Sequence, residues 1–194
     1  MKRLLIASSI AATMLGALPA QAEDMFSGDT RLACEAILCL STGQRPGECQ
    51  PSLSRYFNIT KKKMRDTIKA RRNFLDMCPD EQGEMSDLKG AIANGAGRCD
   101  AAALNSQLMV WSYRDDGHRT IRNTMPSHCS AYASNDSVDQ TNGVAARYVG
   151  TPERGGFWVD PAKYDAAQAE YDARIAAEDA NGGQYQNQRR QFDR

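Results

Sequence analysis

Aromatic residues are scarce in this chain: five Phe, seven Tyr and two Trp make up 7% of its 194 residues. Because aromatic side chains bury more apolar surface than most others, we expect a modest core that needs covalent reinforcement. Net charge is also lacking, since 24 basic residues balance 24 acidic ones. Such a chain has no excess of positive charge for bulk binding of nucleic acid, so we expect no nucleic-acid partner.

The signatures of several enzyme classes are missing as well. The chain has no Gly-rich phosphate loop, no G-x-S-x-G and no H-E-x-x-H, and its cysteines include no C-x-x-C pair. His118 and the adjacent Asp115-Asp116 are predicted to be solvated turn residues, and His128 to pack beside a disulfide. Glu35 is the one catalytic candidate, because burial in an apolar helix would raise its pKa and suit it to act as a glycosidase acid. We nevertheless predict that the protein is not an enzyme and that it holds no cofactor or metal.

An apolar run occurs only at the N-terminus. Lys2 and Arg3 precede an apolar stretch over 4–18, and Ala20-Gln21-Ala22 is typical of a signal-peptidase site. We predict a signal peptide over 1–22, a mature chain that begins at Glu23, and a periplasmic location. Loss of Lys2 and Arg3 leaves 22 basic and 24 acidic residues, a formal charge of −2. No later segment is apolar enough to span a bilayer, so no transmembrane segment is expected after cleavage.

The exported part contains an even number of cysteines. They are Cys34, Cys39, Cys49, Cys78, Cys99 and Cys129. In an oxidising compartment this number predicts three structural disulfides, for which 15 pairings are possible.

Helix geometry favours one of these pairings. Cys34 and Cys39 are five residues apart on one predicted helix, so their side chains point about 140° apart and should not pair with each other. Cys49 follows a Gly/Pro turn and can fold back to Cys39. Cys78 ends a helix that must cover the other side of the first one to bury Met64, Ile68 and Leu75, which favours Cys34–Cys78. Cys99–Cys129 is then the third pair.

Periodicity predicts a mainly α fold, a small disulfide-stapled helical domain over 23–180 in which any sheet is a short hairpin. The clearest helical segments are 31–41, 61–77 and 161–179. Two short strand pairs are suggested, Val110–Tyr113 around an Asp-Asp-Gly turn and 145–149 with 157–159. Asn181-Gly182-Gly183 should end the last helix, and the polar, Gln-rich tail over 181–194 is predicted to be disordered.

The second helical segment has an unusual charge pattern. Seven Lys and Arg residues lie between 61 and 72, against the single acid Asp66. Such a face can bind anionic groups, although a solvated face balanced by acids elsewhere is an alternative. The candidate interaction residues are the aromatic pair and the outer cations, namely Tyr56, Phe57, Lys61, Lys62, Lys63, Arg65 and Lys69.

One block of the sequence resembles a known family. It runs Leu32-Ala33-Cys34-Glu35-Ala36-Ile37-Leu38-Cys39-Leu40-Ser41, followed by Gly43, Arg45-Pro46-Gly47-Glu48-Cys49 and Pro51-Ser52-Leu53-Ser54-Arg55-Tyr56-Phe57. This block resembles the TrbM family of conjugal-transfer proteins. The resemblance implies a periplasmic accessory of plasmid conjugation, encoded with the mating-pair-formation apparatus, a type IV secretion system. The family has no known enzymatic activity, and the resemblance carries no site residue over to this chain.

Three functional hypotheses follow. The first is an interaction module that contacts protein components of the transfer apparatus. The second is an enzyme that opens peptidoglycan, although Glu35 is followed by Ala36 where lytic transglycosylases have a serine. The third is a thiol chaperone for pilus assembly.

Overall fold

The computed structural model describes residues 27–111 and 119–192, with 182–192 described by their backbone alone. The predicted signal peptide, Asp115-Asp116 and His118 lie outside these ranges. In the described part the chain forms seven α-helices and two antiparallel strand pairs, which confirms the mainly helical fold class. The helices are α1 (Gly28–Leu40), α2 (Gln50–Phe57), α3 (Met64–Leu75), α4 (Ser86–Gly95), α5 (Ala101–Gln107), α6 (Ser127–Ala133) and α7 (Tyr164–Phe192). The strands are β1 (Met109–Trp111), β2 (Arg119–Ile121), β3 (Arg147–Val149) and β4 (Phe157–Val159).

Helix α1 lies at the centre of the main core. Ala33, Ala36, Ile37 and Leu40 are spaced three and four residues apart, so they form one face, and all four are buried. Helices α2, α3 and α4 pack around α1. The buried Tyr132 hydroxyl of α6 donates a hydrogen bond to the backbone oxygen of Leu40, the last residue of α1.

Three disulfides join these helices, and the predicted pairing is confirmed. Cys34 is bonded to Cys78, Cys39 to Cys49, and Cys99 to Cys129. All six cysteines of the chain are therefore paired. The first bond ties α1 to the end of α3, and the second ties α1 to the start of α2. The third joins the segment between α4 and α5 to α6.

Both predicted strand pairs are present in the described residues, although Ser112 and Tyr113 of the first predicted strand lie outside them. Met109 lies opposite Ile121 in β1–β2, and Arg147 lies opposite Val159 in β3–β4. Asn105 of α5 clamps β4, because its amide donates to the Trp158 oxygen and accepts from the Trp158 nitrogen, each at 2.8 Å. The second hairpin is thereby held against the main core, in which the Trp158 ring is buried.

Helix α7 is longer than its sequence predicts. It follows a 3-10 turn at Pro161–Lys163 and continues through Gly182-Gly183 to Phe192. Each glycine costs about 1 kcal/mol inside a helix, but the Gln and Arg residues that follow are good helix formers. Disorder of the tail over 181–194 in solution stays a prediction. None of the described helices, α7 included, combines the length and the apolar character needed to cross a membrane.

Candidate interaction surface

The structure divides the seven cations of residues 61–72 into two groups. Arg71 and Arg72 form hydrogen bonds to other parts of the fold, Arg71 to the Ala96 oxygen and Arg72 to Asp76 and the Ser86 oxygen. The other five, which are the predicted interaction residues, are exposed.

Arg71 is a buried structural residue. Its guanidinium donates to three backbone oxygens, those of Ile59 at 3.3 Å, Ala96 at 3.3 Å and Phe57 at 3.4 Å. It also lies over the rings of Tyr56 and Phe57, 4.9 and 5.5 Å from their centroids. Arg71 therefore fastens the loop after α2 to α3 and α4. Because its donors are occupied and it is buried, it offers no charge to a partner.

Tyr56 belongs to the core and not to the surface, which corrects its prediction as an interaction residue. Its side chain is fully buried, and its hydroxyl donates to the Ile92 oxygen at 3.0 Å. Burial raises the pKa of this hydroxyl well above its usual range. Phe57 is partly buried and stacks edge-on against Tyr56. The spacing of Leu53 and Tyr56, one helical turn apart, already indicated that they share a buried face.

The lysines at 61–63 lie on a non-helical segment before α3, not in the helix as predicted. The reason is the buried Thr67, whose hydroxyl accepts from the Lys61 backbone nitrogen at 2.8 Å. Lys63 has extended backbone angles, and α3 starts only at Met64. Within the described part of the chain, no carboxylate lies within 4 Å of the ammonium groups of Lys61, Lys62, Lys63 or Lys69. Among the same described residues, the carboxylate paired with Arg65 is that of its neighbour Asp66, at 3.6 Å. We call these five residues the basic surface.

Apolar side chains lie beside these charges. Met64 is 54% exposed, which corrects the prediction that it joins Ile68 and Leu75 in the buried stripe of α3. It is the first residue of the helix and projects beyond the core, whereas Leu75 is fully buried. Met77, just after the helix, is also exposed.

A groove runs between the end of α2 and the outer face of α3. Its volume is about 450 Å³. Its apolar lining comes from Ile59, Ala70, Phe74 and Met77, and its polar lining from Arg55, Asn58, Thr60, Lys61 and Asn73. We call it the α2–α3 groove. None of these nine lining residues carries a carboxylate.

Arg55 is held at one wall of the groove by Asp29 of α1. The guanidinium donates to both carboxylate oxygens, at 3.1 and 2.6 Å, and lies 5.0 Å above the Phe74 ring. This contact lowers the pKa of Asp29. The positive charge of Arg55 is therefore matched locally, which leaves Lys61 as the unpaired cation of the lining.

The comparison with known proteins agrees with the block of residues that resembles TrbM. The family model of TrbM matches residues 25–172. This chain belongs to the TrbM family. The match covers all six cysteines, the basic surface and the α2–α3 groove, and it identifies a conjugal-transfer-related protein. No curated protein and no solved structure matches this TrbM-family chain.

The one catalytic candidate of this TrbM-family protein, Glu35, does not lie in a buried apolar environment. Glu35 is not buried: its side chain is 33% exposed and bonded to Arg31 at 3.0 Å. The expected desolvation of a glycosidase acid is therefore missing.

His128 lies beside the Cys99–Cys129 bond, as predicted. Its ring nitrogen and the two sulfurs lie within 4.8 Å of one another, but the sulfurs are bonded to each other and provide no thiolate for a metal. The buried Nε2 has no hydrogen-bond partner within the described residues. Burial, together with the nearby charge of Arg98, lowers the pKa of His128.

Proposed function

We propose that this TrbM-family protein is a periplasmic accessory of plasmid conjugal transfer that works as an interaction module of the mating-pair-formation apparatus. Membership of the TrbM family indicates the process, conjugal transfer. The basic surface is the observation that carries the proposed role. The three disulfides support export, because such bonds persist in oxidising compartments.

The basic surface has the properties of a docking site for a protein of opposite charge. Its cations are exposed and, Arg65 apart, unpaired within the described residues, whereas the nearby acids Asp29 and Asp76 are bonded to arginines. Opposite charges on a partner would speed encounter and orient the complex. Met64 and Met77 add exposed apolar area, which is typical of contact surfaces.

Binding rather than catalysis is proposed for two further reasons. Glu35 is ion-paired and partly exposed, so it lacks the apolar, buried surroundings that a wall-cleaving acid needs. All six cysteines are paired, and four of them, including Cys99 and Cys129, are buried, which disfavours thiol exchange with a client. A zymogram on purified peptidoglycan and a count of free thiols in the native protein test these two alternatives.

The proposal is tested by capture from donor cells. A tagged copy is produced in place of the native protein, the cells are crosslinked during mating, and the periplasmic fraction is purified without reductant. We expect the protein in that fraction with Glu23 at its N-terminus, joined to components of the transfer apparatus. Recovery of no such component, together with unaltered mating after deletion of the gene, would contradict the proposal.

A further inference from the structure

We propose that the α2–α3 groove receives an extended segment of the partner protein in which acidic residues alternate with apolar ones. This inference rests on the proposed function for the existence of a partner. It adds the place on this chain where the partner binds and the chemistry of the bound segment.

The floor of the groove fits apolar side chains. Phe74, at the bottom, is only 4% exposed and lies under the Arg55 guanidinium, so the apolar area open to a ligand comes mainly from Met77, 43% exposed at the rim, and from Ile59 and Ala70. The volume of about 450 Å³ falls in the range of ~300–1,000 Å³ that binding pockets cover. Methionine adapts its shape to different apolar partners, so Met77 can close over a bound side chain.

The rim of the groove fits a peptide backbone. Asn58 and Asn73 lie on opposite walls, one after α2 and the other on α3. Each amide offers donors and an acceptor, as an extended backbone requires. Asn58 makes a single contact of 3.5 Å to the Ser54 hydroxyl, and Asn73 makes no side-chain hydrogen bond to the part of the chain that is described.

The charge of the groove selects acidic residues. Lys61 lines it, Lys62 and Lys63 follow directly in the chain, and Lys69 is one helical turn before Asn73. The lining contains no carboxylate, and Asp29, beside one wall, is paired with Arg55. A basic segment would place its cations against Lys61 without a counter-charge.

A lipid surface is the less favoured occupant. Anionic headgroups could meet the lysines, but the half-buried Ile59 and Ala70 lie below the exposed rim and a flat bilayer surface does not reach them. A protruding side chain does. Both walls of the groove are also fixed to α1 by disulfides, as expected for a preformed site for a defined segment.

The test places a photoreactive amino acid at Asn73 of the full chain in mating donor cells. The same residue at the exposed Lys163, which does not line the groove, is the control position. We expect a crosslink from position 73 to one transfer protein, mapped by mass spectrometry to a segment that contains acidic and apolar residues. Lys61→Glu should lower the crosslink yield about tenfold, and an acidic-to-Lys change in the mapped segment should restore it. Lys163→Glu should leave the yield unchanged.

Several results would overturn the inference while leaving the proposed function intact. These are a crosslink from position 73 to lipid, a mapped segment without acidic residues, and partner crosslinks that arise at position 163 but not at 73. Absence of transfer proteins at every surface position would instead contradict the proposed function itself. Lys61 and Asn73 are exposed, so we expect substitutions there to leave the fold intact. Unchanged thermal melts of the variants verify that a lower crosslink yield does not come from unfolding.

Discussion

The region from α1 to α6 and the region from β3 through α7 are stabilised in different ways. The first has three disulfides and one continuous core around α1. The second has no cysteine and a small cluster made by Val149, Val159 and Tyr171. Surface ion pairs and the Asn105 clamp add to that cluster. The covalent bonds are thus concentrated in the region that contains the groove.

Two of the disulfides hold the walls of the groove. Cys39–Cys49 fixes the start of α2 to α1, and Cys34–Cys78 fixes the end of α3 to α1. The two walls of the α2–α3 groove are therefore held at a set separation through a shared helix. We expect perturbations of the first region to affect partner binding and those of the second region to affect local stability alone.

The largest effect is expected from removing the Cys34–Cys78 bond. Its partners are 44 residues apart, so replacement of both by Ser should lower the free energy of unfolding by about 4 kcal/mol. The matched loss of Cys39–Cys49, with a separation of 10, should cost about 3 kcal/mol. Urea denaturation measures both. These values assume that a disulfide stabilises by restricting the unfolded chain. A larger loss of stability without Cys39–Cys49 than without Cys34–Cys78 would contradict that explanation.

The next largest effect is expected from a substitution at Tyr171 in the second region. The Tyr171 ring covers Gly150 so closely that a Cβ there would lie 2.1 Å from it, and the Tyr171 hydroxyl accepts from the Thr151 nitrogen at 3.1 Å. Tyr171→Ala should destabilise the β3–β4 hairpin and α7 by about 3 kcal/mol, and Tyr171→Phe by about 1 kcal/mol. Hydrogen exchange should show faster exchange there and no change in α1. Equal loss of protection in both regions would show that they unfold as one unit.

A smaller effect concerns pH and the first region. The lowered pKa of His128 means that the unfolded chain binds a proton near pH ~6.5, while the folded chain binds it only at lower pH. Stability should therefore decrease as the pH falls from 7 to 5. His128→Gln should reduce this slope, as measured by thermal melts at each pH. An identical slope in both proteins would contradict the assignment.

The smallest effect is expected at the surface of the second region. Arg154 contacts Glu178 at 3.3 Å and Asp179 at 2.6 Å, and all three side chains are exposed. Because water and salt screen such pairs, Arg154→Ala should lower the melting temperature slightly at low salt and not at high salt. A large decrease in melting temperature that persists at high salt would instead show that this ion pair is a main stabilising contact of the region.

The features that were predictable from the sequence depend on local geometry. The disulfide pairing followed from the opposed directions of Cys34 and Cys39 on one helix and from the turn before Cys49. The strand pairs followed from short apolar runs around glycines, and α1 and α3 from their apolar spacing. Each of these inferences needs only neighbouring residues and the period of a helix or strand.

The errors depend on contacts between distant residues. Thr67 accepts a hydrogen bond from Lys61, 6 residues earlier, and Tyr56 donates to Ile92, 36 residues later, so both contacts lie outside the one-turn spacings that helical periodicity uses. The groove residues Asn73, on α3, and Met77, just after it, were not predicted, although their spacing of four was visible. Which face of α3 remains uncovered is decided by where α1 and α4 pack, and periodicity does not report this.

The central claim, that the basic surface docks to the transfer apparatus, is tested most directly by mating frequency. A donor lacking the gene is complemented with a variant carrying Lys61→Glu, Lys62→Glu and Lys63→Glu. The control reverses the same number of exposed charges outside the groove, at Arg119, Arg122 and Lys163. With equal periplasmic levels of both variants, we expect the lysine variant to lower transfer about tenfold or more and the control to match the native protein. Transfer at the native frequency with the lysine variant would contradict the claim.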